Sequence, residues 1–347
     1  MTKAIEEPTM PRSPRAVDVA KVAGVSQATV SRTFNEPDKV QPHIRQRVLA
    51  AAESLGWLPH GAGSALARRR SLIAGALIPT LANGIFATHV AALQEVFSDA
   101  GINLIVSVSN HDPAQAMRST QAMLARGVEA ITVVGEDFGD PIFDLMAARR
   151  VPYVITHGFN ANSRHPTIGI DNFKTFQEIT NYLLSLGHTT VGMIAPPQAN
   201  NARVEARVGG VRDALAAAGL GMRPKHFIEG PWSIQFGRDS LAAILAAGSP
   251  TPTAIICGND QIAFGVLTEA RARGISIPND LSIIGFDDDP IAQHTTPPLT
   301  SVKVDRASMG QEAALYLLAR LRGEMPDLPP PMQAKLIVRG STAPAKR

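Results

Sequence analysis

A short polar segment near the start of the chain carries side chains suited to hydrogen bonding with DNA. Gln27 and Arg32 can each form paired hydrogen bonds with purine edges in the major groove, and Ser or Thr hydroxyls can hold phosphates. We expect Gln27, Ala28 and Arg32 to face base edges, although Ala28 offers only a methyl-sized apolar contact. The residues expected to support contacts with the DNA backbone are Ser26, Thr29, Ser31 and Asn35.

These side chains need a helix-turn-helix to present them. A first helix is predicted at Ala16–Ala23, and Gly24 permits the turn that follows it. Ser26 is a good N-cap for a second helix at Gln27–Phe34, and a third helix is predicted over about 42–55. The apolar residues predicted to share the small core are Val17, Ala20, Ala23, Val25, Val30, Ile44, Val48, Ala52 and Leu55.

The distribution of charge supports a nucleic-acid partner for this first part of the chain. Residues 1–70 contain 11 Lys and Arg against 6 Asp and Glu, whereas residues 71–347 contain 22 against 24. A concentrated basic segment is expected of a DNA-binding region, because contacts with phosphates supply most of the non-specific affinity. A solvated helix pair in an ordinary helical domain is the alternative interpretation of the same pattern.

Length and composition limit the class of protein. The chain has 347 residues, of which 45% are hydrophobic and 18% charged, and this balance is typical of a folded, water-soluble protein of more than one domain. No apolar run approaches the roughly 20 residues of a membrane span, and the polar N-terminus lacks a signal peptide, so we expect a cytoplasmic location. The one cysteine, Cys257, excludes an intramolecular disulfide and is predicted to be a packed thiol.

After Ser71 the pattern changes to apolar strands, most of them separated by amphipathic helices. Such repeated β-α units imply parallel sheets with helices on both faces, and this length accommodates two sheets. The fold predicted is therefore an all-α helix-turn-helix headpiece followed by an α/β domain of two parallel-sheet lobes. The predicted strands are Ile73–Ile78, Leu104–Val108, Ala130–Val134, Tyr153–Thr156, Val191–Ala195, Ala254–Cys257, Ser282–Phe286 and Ala334–Val338.

Several ordered motifs resemble one family of bacterial repressors, the LacI/GalR family. The headpiece motifs are Asp18-Val19-Ala20, Ala23-Gly24-Val25-Ser26, Thr29-Val30-Ser31-Arg32 and Asn35. Later matches include Gly56-Trp57-Leu58-Pro59, Leu66, Leu186-Gly187-His188, Gly258-Asn259-Asp260, Gly285-Phe286-Asp287-Asp288 and Pro298-Leu299-Thr300-Ser301-Val302. Within the family, Ile78-Pro79-Thr80-Leu81 with Phe86, and Gly169-Ile170-Asp171-Asn172-Phe173, resemble gluconate-type regulators more than the lactose repressor.

The resemblance implies a transcriptional regulator with a periplasmic-binding-protein-like effector domain. We expect a repressor whose affinity for operator DNA is controlled by a small sugar or sugar acid. The predicted parts are a disordered tail (1–14), the headpiece (15–58), a hinge (59–70), the effector domain (71–340) and a second tail (341–347). Its first lobe is expected at about 71–169 and 301–331, and its second lobe at about 170–300 and 332–340.

The resemblance also implies how this regulator meets its operator. A homodimer would place two headpieces on a pseudopalindromic operator, since a two-fold protein matches a two-fold site. The hinge would form a helix on the DNA, with Leu66 inserted into the minor groove as an apolar wedge. Gly61 and Gly63 are poor helix formers, so we expect a hinge that is disordered without DNA. A flexible linker with no role in DNA binding is the alternative.

Matching the chain to the family motif by motif places six residues at the effector. Two aromatic side chains offer flat apolar faces, an amide and a carboxylate can bind hydroxyls, and Arg207 can hold a carboxylate or phosphate. His157 stands where another branch of the family has an aspartate, so it adds a possible cation and favours a sugar acid over a neutral sugar. The alternatives are a satisfied histidine at the cleft edge for His157 and an inter-lobe ion pair for Arg207 and Asp287. The expected effector contacts are Phe86, His157, Arg207, Trp232, Asn259 and Asp287.

Other functional classes fit the sequence less well. A periplasmic sugar-binding protein would begin with a signal peptide and lack residues 15–70 as interpreted above. A dinucleotide-dependent enzyme would need Gly-x-Gly-x-x-Gly directly after its first strand, where the chain has Pro79-Thr80-Leu81 instead. We therefore expect no catalytic residues, no metal site and no cofactor. The acidic run Asp287-Asp288-Asp289 is predicted to supply one ligand contact beside solvated or capping neighbours rather than a metal site.

Overall fold

The computed structural model describes residues 12–58, 70–82 and 84–346. The chain divides into two compact units, and the boundary between them lies between Leu72 and Ile73. Residues 1–11 of the predicted tail and 59–69 of the predicted hinge, including Leu66, lie outside the described residues. The expectations for them stay predictions. In the parts that the structure describes, no helix is both long and apolar enough to cross a membrane.

Within residues 12–58, the first unit contains three α-helices around one small core. They are α1 (Ala16–Ala23), α2 (Gln27–Asn35) and α3 (Pro42–Ser54), close to the predicted bounds. Val19, Val30 and Val48 are fully buried, and Trp57 closes the core from the end of the unit. The expectation for Val17 was wrong, because Val17 is 38% exposed and Val19 takes the inward position two residues later.

The turn between α1 and α2 depends on two local features. Gly24 adopts a left-handed conformation with φ of 62°, which a side chain would strain, and a Cβ there would also meet the Arg47 guanidinium at 2.8 Å. Arg47 Nη2 donates a hydrogen bond to the carbonyl oxygen of Ala23 at 2.5 Å. Ser26 caps α2 as predicted, because its hydroxyl accepts a hydrogen bond from the Thr29 N–H at 3.1 Å.

The second unit contains two sheets connected by helices. The first sheet has the strand order β2-β1-β3-β4-β5 and is parallel throughout, and the second has the order β11-β10-β9-β8-β6-β7 with only β11 antiparallel. The strands are β1 (Ile73–Ile78), β2 (Asn103–Val108), β3 (Ala130–Val134), β4 (Tyr153–Thr156), β5 (Thr167–Ile168), β6 (Val191–Ala195), β7 (Phe227–Glu229), β8 (Ala254–Cys257), β9 (Ser282–Asp287), β10 (Thr300–Val304) and β11 (Ala334–Ile337).

Pairs of helices cover both faces of each sheet. In the first lobe α4 packs against α11 and α5 against α6, and in the second lobe α7 packs against α8 and α9 against α10. The helices are α4 (Gly84–Asp99), α5 (Pro113–Ala125), α6 (Asp140–Ala148), α7 (Asn172–Ser185), α8 (Ala202–Ala217), α9 (Ile234–Ala246), α10 (Asp260–Ala272) and α11 (Arg306–Leu321). Cys257 is fully buried within this packing.

Three strands were not predicted from the sequence, and one of them places a lobe boundary at a different residue from the one expected. β5 and β7 have two and three residues, too few to show an alternating pattern. β10 lies in the second sheet, so the chain enters the first lobe after Val304 and not at 301 as expected. The predicted C-terminal tail also packs on this sheet, because the Ser341 hydroxyl donates to the Ile283 carbonyl oxygen at 2.6 Å and accepts from the Thr300 N–H.

The contact between α7 and α8 gives a test of close helix packing. A Cβ at Gly210 would lie 2.2 Å from the Phe173 carbonyl oxygen, whereas a Cβ at Gly209 would meet only the movable, 39% exposed ring of Phe173 at 3.3 Å. Gly210→Ala should therefore lower the free energy of unfolding by about 1–3 kcal/mol despite the better helix propensity of Ala. Gly209→Ala should change it by less than about 1 kcal/mol. Urea unfolding followed by circular dichroism measures both, and equal losses would contradict the packing described.

Candidate functional site

The exposed face of α2 carries the side chains expected to contact DNA. Gln27, Ala28, Ser31 and Arg32 are exposed, while Val30 and Thr33 on the opposite face are buried. Core-facing side chains therefore lie on one side of α2. The opposite side is a polar surface that is long enough to lie in the major groove of DNA.

Hydrogen bonds between neighbouring turns of α2 organise the supporting side chains on this face. The Ser26 and Thr29 hydroxyls lie 3.0 Å apart, and Asn35 Nδ2 donates to the Ser31 hydroxyl oxygen at 3.2 Å. The four residues predicted to support backbone contacts are therefore paired along the helix, two near its start and two near its end. This pairing limits their rotamers and leaves Gln27 and Arg32 as the longest side chains pointing outward.

The predicted effector contacts converge in the second unit at the carboxyl edges of both sheets. His157 directly follows β4, Asn259 follows β8, and Asp287 ends β9. Parallel strands bring their carboxyl ends to the same edge, which is where open sheets bind ligands. Five of the six residues line a single pocket, called the effector pocket below. Its lining is Ile85, Phe86, Pro196, Asn201, Arg203, Val204, Arg207, Trp232, Gly258, Asn259 and Asp287.

The sixth residue, His157, lies behind this pocket. It is 7% exposed, and its ring lies 5.3 Å from the Phe86 ring and 4.7 Å from the His89 ring, centroid to centroid. His157 Nδ1 is 3.3 Å from the Thr156 hydroxyl, and Nε2 has no hydrogen-bond partner among the described residues. The expectation of a cation here was wrong, because burial lowers the pKa of His157 well below 6.5 and the nearby cations lower it further.

Arg207 is held firmly at the bottom of the effector pocket. Its Nε donates to Asn172 Oδ1 at 2.8 Å, and its Nη1 donates to the Gly258 carbonyl oxygen at 3.0 Å. The guanidinium also lies 3.9 Å from the centre of the Phe286 ring, a favourable cation–π distance. Burial lowers the pKa of Arg207 to about 9, so the side chain still carries its charge at neutral pH.

The inter-lobe ion-pair alternative holds for Asp287, whose partner is Arg306 in the first lobe, whereas no carboxylate pairs with Arg207 among the described residues. Arg306 Nη2 contacts Asp287 Oδ1, and Arg306 Nη1 donates to the Asp287 carbonyl oxygen at 3.0 Å. Both side chains are more than nine-tenths buried. Asp287 has φ of 119°, a conformation that costs on the order of 1–3 kcal/mol and that the double contact with Arg306 helps to hold.

The neighbouring aspartates are also engaged within the protein. Asp288 pairs with Arg339 at 2.7 Å, and the carboxylate of Asp289 caps a short 3₁₀ helix by accepting from the Ile291 N–H at 2.9 Å. This agrees with the expected capping role in the acidic run. Among the described residues, no group of three or more His, Cys, Asp or Glu side chains could hold a metal ion.

Sequence reasoning missed two arginines at the effector pocket. Arg203 is 8% exposed, lines the pocket, and has an Nε without a hydrogen-bond partner among the described residues. It lies one helical turn before Arg207, and this i, i+4 spacing was the available signal. Arg306 had no such signal, because its role depends on packing against Asp287 from another element. Trp232 Nε1 is a further unpartnered donor within the described residues.

The effector pocket is narrow in this conformation. Its free volume is about 30 Å³, enough for no more than a few water molecules. Asn259 uses its Oδ1 to cap α10 by accepting from the Ile262 N–H, and its amide N–H groups are left to contact a ligand. In this conformation, the pocket has no room for a molecule larger than a few waters.

Comparison with known proteins places these features in context. Two family models match the chain: "Bacterial regulatory proteins, lacI family" over residues 17–60 and "Periplasmic binding protein-like domain" over residues 180–342. The HTH-type transcriptional repressor CytR of Escherichia coli (strain K12) is 30% identical over 328 residues, which cover 94% of this chain and 95% of CytR.

Solved structures match over nearly the full chain. A LacI-family transcriptional regulator from Silicibacter pomeroyi shares the fold with a TM-score of 0.88 at 24% identity, covering 95% of this chain and 99% of that one. The lac repressor dimer bound to operator and the anti-inducer ONPF has a TM-score of 0.84 at 26% identity, covering 96% of this chain and 100% of that one.

A buried carboxyl beside the effector pocket predicts a pH-dependent stability. Burial raises the pKa of Asp260 to about 7, and the charges of Asp287 and Asp288 add to the rise. The folded state therefore favours the protonated form, and the stability that this proton contributes is complete below about pH 4 and lost as the pH rises through about 7.

Asp260→Asn should remove this dependence. Relative to that variant, the free energy of unfolding of the wild type should fall by up to about 1.4 kcal/mol per pH unit between pH 5 and 7. Urea unfolding at pH 5, 6, 7 and 8 measures the slope. Asp239→Asn, on the exposed face of α9, is the matched control and should keep the wild-type slope. Identical slopes in the wild type and Asp260→Asn would show that Asp260 is ionised throughout.

Proposed function

This chain belongs to the lacI family of bacterial regulatory proteins and is a DNA-binding transcriptional regulator, and from its pocket we propose a repressor controlled by a small sugar acid. The observation that supports a sugar acid as the effector is the excess of cationic groups around Asp287. Arg203, Arg207 and Arg306 surround Asp287, but only Arg306 pairs with it among the residues described. A ligand carboxylate would supply the missing counter-charge, because buried charges need a partner.

The other pocket side chains suit the rest of a sugar acid. Phe86 and Trp232 offer apolar faces to the C–H groups of a sugar, and the amide of Asn259 can donate to its hydroxyl oxygens. The second carboxylate oxygen of Asp287 is an acceptor for hydroxyl protons, whereas the neutral ring of His157 lies behind the pocket. We therefore keep the preference for a sugar acid over a neutral sugar, with Arg203 and Arg207 as its basis instead of a charged His157.

The narrow pocket supports control by movement of the lobes. Asp137 in the first lobe accepts a hydrogen bond from the Ala202 N–H at the start of α8 in the second lobe. His111 and Trp232 also meet across the cleft, edge to face, with ring centroids 4.6 Å apart. A sugar acid must alter these contacts to enter, so its binding energy can change the relative positions of the lobes. The headpiece would respond through the hinge.

The remaining parts of the proposal follow from DNA binding by the headpiece. We propose a homodimer on a pseudopalindromic operator, with Leu66 in the minor groove, since one headpiece alone would contact only a half-site. A regulator of transcription must reach the chromosome, so a cytoplasmic location is part of the same proposal. Catalysis has no part in it, because the CytR relative is a transcriptional repressor.

Loss of Arg32 should weaken specific binding of DNA. The operator can be selected from a random-sequence library with the wild-type protein. Arg32→Ala should then lose about 1–3 kcal/mol of operator binding in a mobility-shift assay, as expected for a lost pair of base contacts, and much less on unrelated DNA. Lys39→Ala, outside α2, is the control and should keep the ratio of specific to non-specific affinity. An unchanged ratio for Arg32→Ala would show that another face binds the operator.

Loss of Arg207 should weaken binding of the effector. Calorimetry should detect gluconate or glucuronate binding by the wild type and a loss of at least tenfold in affinity for Arg207→Met, which keeps the apolar stem but removes the charge. Arg212→Met is the matched control, because Arg212 is exposed on the same helix. Melting temperatures would confirm that both variants fold. Tight binding of neutral glucose without any response to sugar acids would overturn the acid assignment.

A further inference from the structure

A second and larger cavity lies next to the effector pocket. Its volume is about 400 Å³, within the range of roughly 300–1,000 Å³ that is typical of sites for small molecules. It lies between the loops after β3 and β4 in the first lobe and the helices α7 and α8 in the second. Arg203 lines both this second cavity and the effector pocket, so one side chain forms the wall between them.

The lining of the second cavity has the chemistry that binds sugars. Phe159 and Phe173 provide flat apolar surfaces, and Phe173 is 39% exposed. Around them are two amides and two carboxylates, groups that donate to and accept from hydroxyls. No arginine or lysine other than Arg203 lines the cavity within the described residues. The amides and carboxylates belong to Glu136, Asn160, Asn162 and Asp171, and Asn172 adds a third amide to the wall of the cavity.

Arg203 lies at the boundary between the effector pocket and the second cavity. It reaches from α8 to the first lobe, where a Cβ at Gly135 would lie 3.4 Å from its Nε and a Cβ at Gly158 would lie 3.7 Å from its Cγ. Its Nε has no hydrogen-bond partner, and no carboxylate lies within 4 Å of its guanidinium among the residues described. The charges of Asp137 and Asp287 act on this buried arginine, but neither forms a direct ion pair with it at the junction of the effector pocket and the second cavity.

Asn172 connects the wall of the effector pocket with the wall of the second cavity. Its Oδ1 accepts from Arg207 Nε at 2.8 Å, and its Nδ2 donates to the His157 carbonyl oxygen at 3.1 Å. Asn172 also lines the second cavity. A ligand that contacts this residue and Arg203 would therefore extend from the effector pocket into the second cavity.

We propose that the effector is an acidic glycoside of two sugar units. Its acid unit would lie in the effector pocket at Arg203 and Arg207, and its neutral unit would lie in the second cavity against Phe159 and Phe173. This inference rests on the proposed acidic effector and adds the size of the ligand to it. The charge distribution supports this placement of the acid unit and the neutral unit. The effector pocket contains the arginines that lack an ion-pair partner, and the second cavity contains the amides and carboxylates.

The test compares one-unit and two-unit acids on the full-length protein. Gluconate is the one-unit probe, and lactobionate, cellobionate and maltobionate carry the same gluconate unit with one neutral sugar attached. Calorimetry should show at least one of the three binding at least tenfold more tightly than gluconate. Ala206→Phe fills the second cavity from α8 and should remove this advantage while gluconate still binds.

Ala216→Phe is the matched control, because it places the same side chain on the exposed face of the same helix. It should keep the full advantage of the two-unit acid. If gluconate binds and none of the three disaccharide acids binds more tightly, the two-unit proposal is overturned and the acidic effector stands. If the advantage survives in Ala206→Phe, the neutral unit lies elsewhere and the proposal is likewise overturned. If none of the four acids binds, the acidic effector fails, and the two-unit proposal fails with it.

Discussion

The ion pair between Asp287 and Arg306 is the interaction on which the arrangement of the cleft depends. Asp287 ends the central strand β9 of the second lobe, and Arg306 begins α11, which packs in the first lobe. The pair therefore joins the lobes where the chain crosses between them, beside the effector pocket. Removing one partner of such a buried pair typically costs about 3–5 kcal/mol, because the other charge is left without compensation. A ligand that contacts Asp287 acts directly on this connection.

The histidines show how burial limits the charge of the cleft. Burial lowers the pKa of His89 to about 4 and that of His157 well below its usual value, and both rings lie near Arg306. Two more cations beside three arginines would have no counter-charge, so the neutral rings are the lower-energy state. The positive charge that remains is carried by guanidinium groups, which keep their protons and present donors in a fixed plane. The proposed preference for an anionic effector would therefore hold over a wide range of pH.

The two units differ in how much of their function the sequence could predict. In the headpiece, α2 is a local element, and its capping by Ser26 and the outward positions of Gln27 and Arg32 follow from neighbouring residues. In the effector domain, the six predicted contacts lie on six different segments between Phe86 and Asp287. Five of the residues chosen by resemblance to a family line one pocket in the structure, but their partners depend on residues far away in the chain.

The sequence by itself determined the helix-turn-helix, the alternation of strands and helices and the family, because these depend on local periodicity, turn residues and ordered motifs. Only the tertiary structure decided that Arg306 pairs with Asp287, that Asn172 holds Arg207 across 35 residues, and that Arg203 separates two cavities. It also decided that His157 is neutral. The physical reason is the same in each case: burial and partnership arise when distant segments meet, and neither is encoded in the spacing of residues along one segment.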